Sequence, residues 1–185
     1  MKVPKEAKRV FKGVIFDTYH WRQKMFDGSF EIFEMLARRP VADTIVTVGE
    51  RIMVLMQRQP RRREYPSLPG GGIEVGERPM AAARRELLEE TGYTAKRFRL
   101  ICRSDGNFKI HQPEYLYVAD DCRKIVAPAL DAGEKINVTF VSFDEFLQFC
   151  RRDDFAISAK TRMMLYEALV DKKKKTVLKK LIFPY

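Results

Sequence analysis

Short runs that mix hydrophobic and polar residues dominate the chain on both sides of residues 70 to 93. Before them, the runs VFKGVIFDTYHW, SFEIFEMLARR, DTIVTV and RIMVLMQ are typical of β-strands, and Gly49-Glu50 separates the last two like a hairpin turn. After them, LICRSDG, EYLYVAD and NVTFVSF have the same character. The pattern predicts a chain rich in strands.

Two helices are predicted near the C-terminal end. Ser142 and Glu145 form a capping box in front of DEFLQFCRR, and Ser158 can cap a second helix. We interpret the lysine run at 172–175 as the basic continuation of that second helix, because cations are favourable near a helix C-terminus. Strands combined with helices predict an α/β fold in which helices pack on a mixed sheet.

The central stretch predicts a third helix, over residues 78–91. Pro79 suits a first helical turn, strong helix formers follow, and Gly92 is a natural stop. At helical spacing, one face is apolar and packs inward, and it consists of Met80, Ala83, Leu87 and Thr91.

Another face of this helix collects Glu86, Glu89 and Glu90. Like charges at this spacing repel one another, and their cost grows when they are partly buried. A hard divalent cation such as Mg²⁺, which prefers oxygen ligands, would neutralise them. The alternative is a solvated acidic face that Arg84 and Arg85 balance.

Length, composition and charge bound the protein further. A chain of 185 residues with 45% hydrophobic content can build one compact domain, and we expect residues 41–185 to form it. Residues 1–40 are interpreted as an additional strand arm. The formal net charge of +10 favours anionic partners such as nucleotides, nucleic acid or acidic membranes, without choosing among them.

The cysteines and the lengths of the apolar runs indicate the cellular compartment of the protein. The three cysteines are odd in number and widely spaced, which favours neither a disulfide framework nor a zinc site and suits a reducing cytoplasm. Lys12 and Asp17 interrupt the apolar residues of the basic N-terminus, so no signal-peptide core is recognised there. No apolar run is long enough to cross a bilayer, and we expect no membrane partner.

A glycine-rich loop precedes the acidic helix, and the two together match a known sequence motif. Gly70, Gly71, Gly72 and Gly76 form a loop that leads into the helix and allows close backbone approach. Gly71, five residues, Glu77, seven residues and the run RELLEETGY at 85–93 resemble the Nudix box without a departure. The resemblance covers residues 71–93 directly.

Looser motifs resemble one branch of the Nudix hydrolase superfamily. The stretches LARRPVADTIV, QRQPRR and LDAGEKINVTFVSFDEF are similar to ADP-ribose pyrophosphatases and related nucleoside diphosphate sugar hydrolases. The resemblance implies a Nudix-type α/β/α sandwich with a mixed sheet plus an N-terminal antiparallel strand arm. It also implies Mg²⁺-dependent hydrolysis, with Mn²⁺ as a possible substitute, of a nucleoside diphosphate sugar to a nucleoside monophosphate and a sugar phosphate. It further implies a homodimer through exchanged N-terminal segments.

The resemblance also assigns metal ligands. Glu86 and Glu90 are then the principal Mg²⁺ ligands, and the carbonyl group of Gly70 or Gly71 completes the shell. Glu89 assists and is counted among the catalytic residues. The shared helical face of the three carboxylates agrees with this assignment.

Further roles concern positioning and proton transfer. Arg85 is expected to orient a carboxylate by bidentate hydrogen bonding, and Glu77 is either a helix-start residue or a metal contact. By resemblance, Glu134 in a loop after the box is the general base. The alternatives are a surface role for Glu134, with Asp131 and Glu145 as other candidate bases.

Substrate contacts are assigned to arginines before the box. Arg39, Arg58 and Arg61 are candidates for binding the substrate phosphates, and Arg58 and Arg61 compete for one role. Aromatic residues of the arm either stack on a nucleobase or belong to the core or an interface: Trp21, Phe26 and Phe30.

Two other functions stay open. The basic balance and the lysine run suit an RNA 5′-pyrophosphohydrolase. Roughly 70 residues precede the box, which is enough for a dimerising arm and favours nucleotide sugars instead. A nucleotide- or RNA-binding module without activity is disfavoured because no glutamate of the box is missing.

Overall fold

A computed structural model describes residues 2–107 and 109–183. Ten strands are present: β1 (Lys8–Lys12), β2 (Phe16–Lys24), β3 (Phe30–Arg38), β4 (Val41–Val48), β5 (Arg51–Arg58), β6 (Tyr65–Ser67), β7 (Gly70–Gly72), β8 (Tyr93–Asn107), β9 (Ile110–Lys124) and β10 (Lys135–Val141). The helices are α1 (Pro79–Thr91), α2 (Phe143–Gln148), α3 (Ala159–Val170) and α4 (Lys172–Ile182). A short 3₁₀ turn, Phe149–Arg151, follows α2.

The strands form one mixed sheet, as predicted. Its main order is β1-β2-β3-β9-β4-β5-β10, and β6, β7 and β8 pair with β5, β4 and β9. The β3–β9 and β4–β9 pairs are parallel, whereas the other pairs are antiparallel. Strand β4 therefore lies inside the sheet, between β9 and β5, and it also pairs with β7, which precedes α1.

Two hydrophobic cores lie on opposite faces of the sheet. Neighbouring residues of β4 point to opposite faces, so Ile45 joins the core with α2, α3 and α4, and Val46 joins the core with α1. Phe146 and Leu165 fill the first core, and Leu87 anchors α1 in the second. This layering confirms the predicted α/β/α sandwich.

The ends of α1 agree with the prediction within one residue. Pro79 opens the helix after Arg78, and Gly92 ends it with φ of 73°, the left-handed conformation that favours glycine. The Gly92 N–H donates to the carbonyl of Leu88 at 2.8 Å. A Cβ at residue 92 would lie 2.0 Å from the carbonyl oxygen of Val126, so close packing also requires glycine.

The C-terminal helices follow the prediction only in part. The capping box of Ser142 and Glu145 is present at α2, and the Ser158 hydroxyl accepts from the Thr161 N–H at the start of α3. Both caps are therefore confirmed.

The predicted continuation of α3 through the lysine run is wrong. Asp171, with φ of −121°, ends α3 and caps a new helix, because its carboxylate accepts from the N–H groups of Lys173 and Lys174 at 2.7 and 3.0 Å. The four lysines therefore occupy the first turn of α4, where the helix dipole disfavours cations. Ion pairs of Lys174 with Glu167 and of Lys175 with Asp144, both 2.7 Å long, compensate in part.

The N-terminal segment forms an antiparallel three-stranded extension of the sheet. The predicted single run VFKGVIFDTYHW is divided between β1 and β2, and the Gly13 N–H donates to the carbonyl of Phe16 in the turn between them. Trp21 is buried and packs on Phe33 at 5.8 Å between ring centroids, which places it in the core. Large hydrophobic residues of this extension are exposed: Val10, Phe11, Val14, Ile15, Phe26, Phe30 and Ile32.

Across the described part of the chain, no helix has both the length and the apolar character needed to span a bilayer.

Candidate active site

A cavity of about 590 Å³ opens between the C-terminal half of α1, strand β7 and the loop before β10. It brings together seven of the ten residues to which the sequence analysis assigns a site role: Gly70, Gly71, Arg85, Glu86, Glu89, Glu90 and Glu134. Asp43, Gln57, Tyr65, Glu74 and Asp131 also line it. The separate sequence motifs around residues 70, 90 and 134 thus meet in one place.

The glycine strand is positioned to touch the acidic helix. Strand β7 pairs with β4, so that Gly70 lies opposite Asp43 and Gly72 opposite Val41. A Cβ on Gly71 would lie 2.6 Å from the carboxyl carbon of Glu86, far inside ordinary contact. The Glu86 carboxylate therefore occupies the space that any other residue at position 71 would need.

Glu90 is the most buried carboxylate of the cavity. Its Oε2 accepts from the Gly70 N–H at 2.8 Å, and its Oε1 accepts from the Gln57 side chain at 3.1 Å. The Gln57 Oε1 in turn accepts from the Tyr65 hydroxyl at 3.0 Å. Burial raises the pKa of Glu90 to about 9, against the opposing Gly70 hydrogen bond and with a contribution from the nearby Glu86 carboxylate.

Arg85 holds three carboxylates at once, more than the single carboxylate expected. It donates to both oxygens of Glu77 at 3.1 Å, to Glu86 at 2.8 Å and to Glu89 at 3.0 Å, and also to the carbonyl of Gly72 at 2.9 Å. The hydrogen bond from Arg85 lowers the pKa of Glu77 below its usual value. Glu77, which lies just before α1, therefore fixes the position of the Arg85 side chain.

Glu134 lies in the loop that precedes β10 and borders the cavity. Its Oε1 accepts from the Gln59 side chain at 3.3 Å, and its charge adds to the forces that raise the pKa of Glu86 and Glu90. Asp131, one alternative base, lines the same cavity. Glu145, the other, lies outside it and accepts from the N–H and the hydroxyl of Ser142, each at 2.8 Å.

The three arginine candidates are separated in the fold. Arg58 and Arg61 line a groove of about 770 Å³ beside the cavity, and Gln59 and Glu134 border both spaces. Arg39 is exposed at the end of β3 and lines neither space, and its carbonyl oxygen accepts from the Gln112 side chain at 3.3 Å. The structure therefore does not bring Arg39 to the candidate site.

Asp43 is a site residue that the sequence analysis missed. Burial raises its pKa to about 7, and the carboxylates of Glu114 and Glu86 add to the effect. A single sequence signal was available, because Asp43 is the one charged residue of β4. Gln57 and Tyr65, which support Glu90, gave no such signal in their strands.

The donor set of the cavity fits a divalent cation. Seven carboxylic side chains line the cavity against one basic side chain, Arg85, and carboxylate oxygens suit Mg²⁺ or Mn²⁺. Within residues 2–107 and 109–183, no three carboxyl, imidazole or thiol groups form a preformed metal cluster. Arg85 holds Glu86 and Glu89, and Gly70 holds Glu90, yet each carboxylate keeps further lone pairs for a cation.

Comparisons with known proteins agree with this geometry. The family model described as NUDIX domain matches residues 37–162. The chain is 30% identical over 151 residues to an ADP-ribose pyrophosphatase of Bacillus subtilis (strain 168), covering 76% of this chain and 78% of that protein. An RNA pyrophosphohydrolase of Bartonella clarridgeiae is 39% identical over 71 residues, which are 38% of this chain and 40% of that protein.

A solved structure also has the same fold. The structure described as an ADP compounds hydrolase superposes with a TM-score of 0.72 at 17% sequence identity, and 94% of each chain is covered. The likeness covers most of the chain, so the overall fold has a counterpart among solved structures.

Proposed function

The chain belongs to the NUDIX family of hydrolases, and we propose that it hydrolyses the pyrophosphate bond of ADP-ribose or another nucleoside diphosphate sugar with Mg²⁺. The products are a nucleoside monophosphate and a sugar phosphate. One observation carries this proposal: the box glutamates, the glycine strand and Glu134 line a single cavity, beside a groove that contains Arg58 and Arg61.

In this proposal, Glu86, Glu89 and Glu90 hold the cation together with the carbonyl of Gly70 or Gly71. When bound, the cation neutralises charge on the phosphate oxygens and acidifies water. Mn²⁺ has the same preference for oxygen ligands and can replace Mg²⁺. Arg85 keeps Glu86 and Glu89 oriented through its hydrogen bonds.

Glu134 is the proposed general base. A water oxygen forms a bond to one phosphorus atom while the bond from that phosphorus to the bridging oxygen breaks, and Glu134 accepts a proton from the water. Arg58 or Arg61 binds the substrate phosphates from the adjoining groove. Asp131 is the alternative base that lies in the same cavity.

Turnover of a substrate panel tests the function. The panel contains ADP-ribose, other nucleoside diphosphate sugars, dinucleoside polyphosphates and RNA with a 5′-triphosphate, each with Mg²⁺. We expect a nucleotide sugar to be preferred, Glu90→Gln to abolish turnover, and Glu134→Gln to reduce kcat by roughly 10²–10⁴-fold with little change in KM. Preference for RNA would support the RNA 5′-pyrophosphohydrolase, and inactivity throughout would support a binding module.

We further propose that residues 1–40 act as a dimerising arm attached to a hydrolase domain of residues 41–185. The exposed apolar side chains of the arm support this assignment, because such surface is costly in water unless a partner covers it. Light scattering should give a dimer for the wild type and a monomer for Phe11→Glu/Ile32→Glu. Lys24→Glu, at an exposed polar position of the arm, is the control, and a monomeric wild type contradicts the proposal.

The proposed location is the cytoplasm. Cys102, Cys122 and Cys150 are all free thiols, which suits a reducing compartment.

A further inference from the structure

The groove beside the cavity is strongly basic. The turn between β5 and β6 and the loop before β10 form its walls, with five basic side chains against two acidic ones. The basic residues are Arg58, Arg61, Arg62, Arg63 and Lys135, and the acidic residues are Glu64 and Glu134. This excess of positive charge lies directly against the most acidic part of the molecule.

The five basic side chains of the groove make no ion pair with any residue that the structure describes. Other arginines of the protein are paired, for example Arg99 with Asp120 and Arg152 with Asp154. Arg62 lies over the Tyr65 ring at 3.5 Å from its centroid, which fixes the plane of the guanidinium group without neutralising its charge. Clustered cations repel one another, so an anionic ligand would be stabilising here.

The backbone of the groove also holds an unfavourable conformation. The Arg62 N–H donates to the carbonyl of Gln59 at 3.1 Å, which closes a turn with Pro60 and Arg61 at its centre. Arg61 has φ of 61°, a left-handed conformation that costs a non-glycine residue on the order of 1 kcal/mol. A glycine would adopt this conformation at a lower cost, so Arg61 holds the turn at some expense in stability.

The groove and the cavity form one continuous binding surface. Gln59 and Glu134 line both spaces, so a ligand whose pyrophosphate lies in the cavity can extend past Glu134 into the groove. We propose that the substrate carries a further phosphate monoester beyond the scissile pyrophosphate, and that the basic groove binds it. This inference rests on the proposed hydrolysis of a nucleoside diphosphate derivative and specifies the class of substrate.

A phosphate monoester suits the groove chemically. It has close to two negative charges and three acceptor oxygens at neutral pH, and guanidinium groups bind such oxygens in pairs. The groove is similar in size to the cavity, about 770 Å³ against about 590 Å³, which suits one additional substituent of a nucleotide. Hydrogen bonds from charged groups of this kind correspond to about a 10–100-fold gain in affinity.

Matched substrates that differ by one phosphate test the inference. ADP-ribose is compared with ADP-ribose 2′-phosphate, and dephospho-coenzyme A with coenzyme A, which adds a 3′-phosphate. For at least one pair, we expect kcat/KM of the wild type to be about 10–100-fold higher for the phosphorylated member. Equal kcat/KM within both pairs overturns the inference, and so does turnover of 5′-triphosphate RNA alone.

A double variant tests whether the groove provides the preference. In Arg63→Gln/Lys135→Gln, the ratio of kcat/KM between the preferred pair should fall to within about threefold of unity, because two cations of the groove are lost. Lys172→Gln/Lys173→Gln is the matched control, since it removes the same charge from α4 residues that line neither space. An unchanged ratio in the groove variant, or an equal fall in the control, overturns the inference.

Binding without turnover separates this inference from the proposed function. Calorimetry should give tighter binding of adenosine 2′,5′-bisphosphate or adenosine 3′,5′-bisphosphate than of AMP, and the difference should disappear in Arg63→Gln/Lys135→Gln. If this holds while ADP-ribose and the other nucleotide sugars are not hydrolysed, the groove assignment stands and the proposed reaction fails. If nucleotide sugars are hydrolysed but bisphosphates and AMP bind equally, the groove assignment fails alone.

Discussion

Gly71→Ala is a minimal perturbation of the candidate metal site, and Gly72→Ala is its matched control. The two glycines are neighbours in β7, and neither has the left-handed backbone that excludes alanine. A Cβ at residue 71 would lie 2.6 Å from the Glu86 carboxyl group, whereas a Cβ at residue 72 has no described neighbour within 4 Å. The same methyl group is therefore added twice, once against the carboxylate and once in open space.

The structure sets the size of the expected effect. Ordinary contact begins at 3.4 Å, so the Glu86 carboxylate must move by about 0.8 Å from its 2.6 Å approach. It cannot swing away freely, because Arg85 donates to it at 2.8 Å and is itself fixed by Glu77. A displacement of roughly 1 Å in a catalytic group costs about 10²-fold in rate, and we expect that loss in kcat/KM for Gly71→Ala.

The assay compares kcat/KM, the Mg²⁺ concentration for half-maximal rate and Tm in the two variants. Alanine at residue 72 restricts the unfolded chain and favours folding by about 0.4–1 kcal/mol, whereas the close contact at residue 71 opposes that gain. Tm therefore shows whether each variant is folded at the temperature of the activity assay. We expect Gly72→Ala to remain within about threefold of the wild type. Equal kcat/KM and equal Mg²⁺ response in the two variants would refute the proposed closeness of Gly71 and a metal-binding Glu86.

Two further predictions concern pH and the last helix. The pKa of Glu90 is raised to about 9, so this residue stabilises the fold fully below its unfolded value near 4.5 and loses that contribution as pH rises through 9. A cation needs the ionised carboxylate, so Mg²⁺ or Mn²⁺ should raise the Tm of the wild type more at pH 9 than at pH 6. The assignment is contradicted if the increase in Tm is the same at both pH values, or if Glu90→Gln shows the same pH dependence as the wild type. Asp171→Ala removes the cap of α4 and should lower the free energy of unfolding by about 1 kcal/mol. Thermal unfolding measures it against Asp153→Ala, an exposed aspartate with no described partner, and equal values for the two variants contradict the capping role.

The parts of the site that could be predicted are those that local spacing encodes. Glu86, Glu89 and Glu90 share a helical face because of the helical repeat, and Pro79 and Gly92 mark the ends of that helix. The family pattern then connected the helix to the glycine loop, which a helical repeat alone cannot do. Glu134 was found by resemblance only, and its place in the cavity depends on the fold.

The predictions that differ from the structure do so for separate physical reasons. Helix α3 was extended through the lysines because their charge suits a helix C-terminus, but the cap that Asp171 provides is a stronger local interaction than the dipole effect. Arg39 follows β3, whose residues line neither the cavity nor the groove, and the sequence does not state which strand ends meet. Strands β8 and β9 extend beyond the predicted runs because backbone pairing continues through polar residues such as Arg97 and Arg123.

Charge balance connects the cavity and the groove. A pyrophosphate is anionic, and seven carboxylic side chains around the cavity oppose its entry, while Arg85 is already committed to Glu77, Glu86 and Glu89. In the proposed reaction, positive charge comes from a divalent cation that the carboxylates would hold and from the groove arginines, which make no ion pair with the residues that the structure describes. If the cation acts at the scissile bond, as proposed, the groove can attract and hold the anionic groups that the reaction does not break.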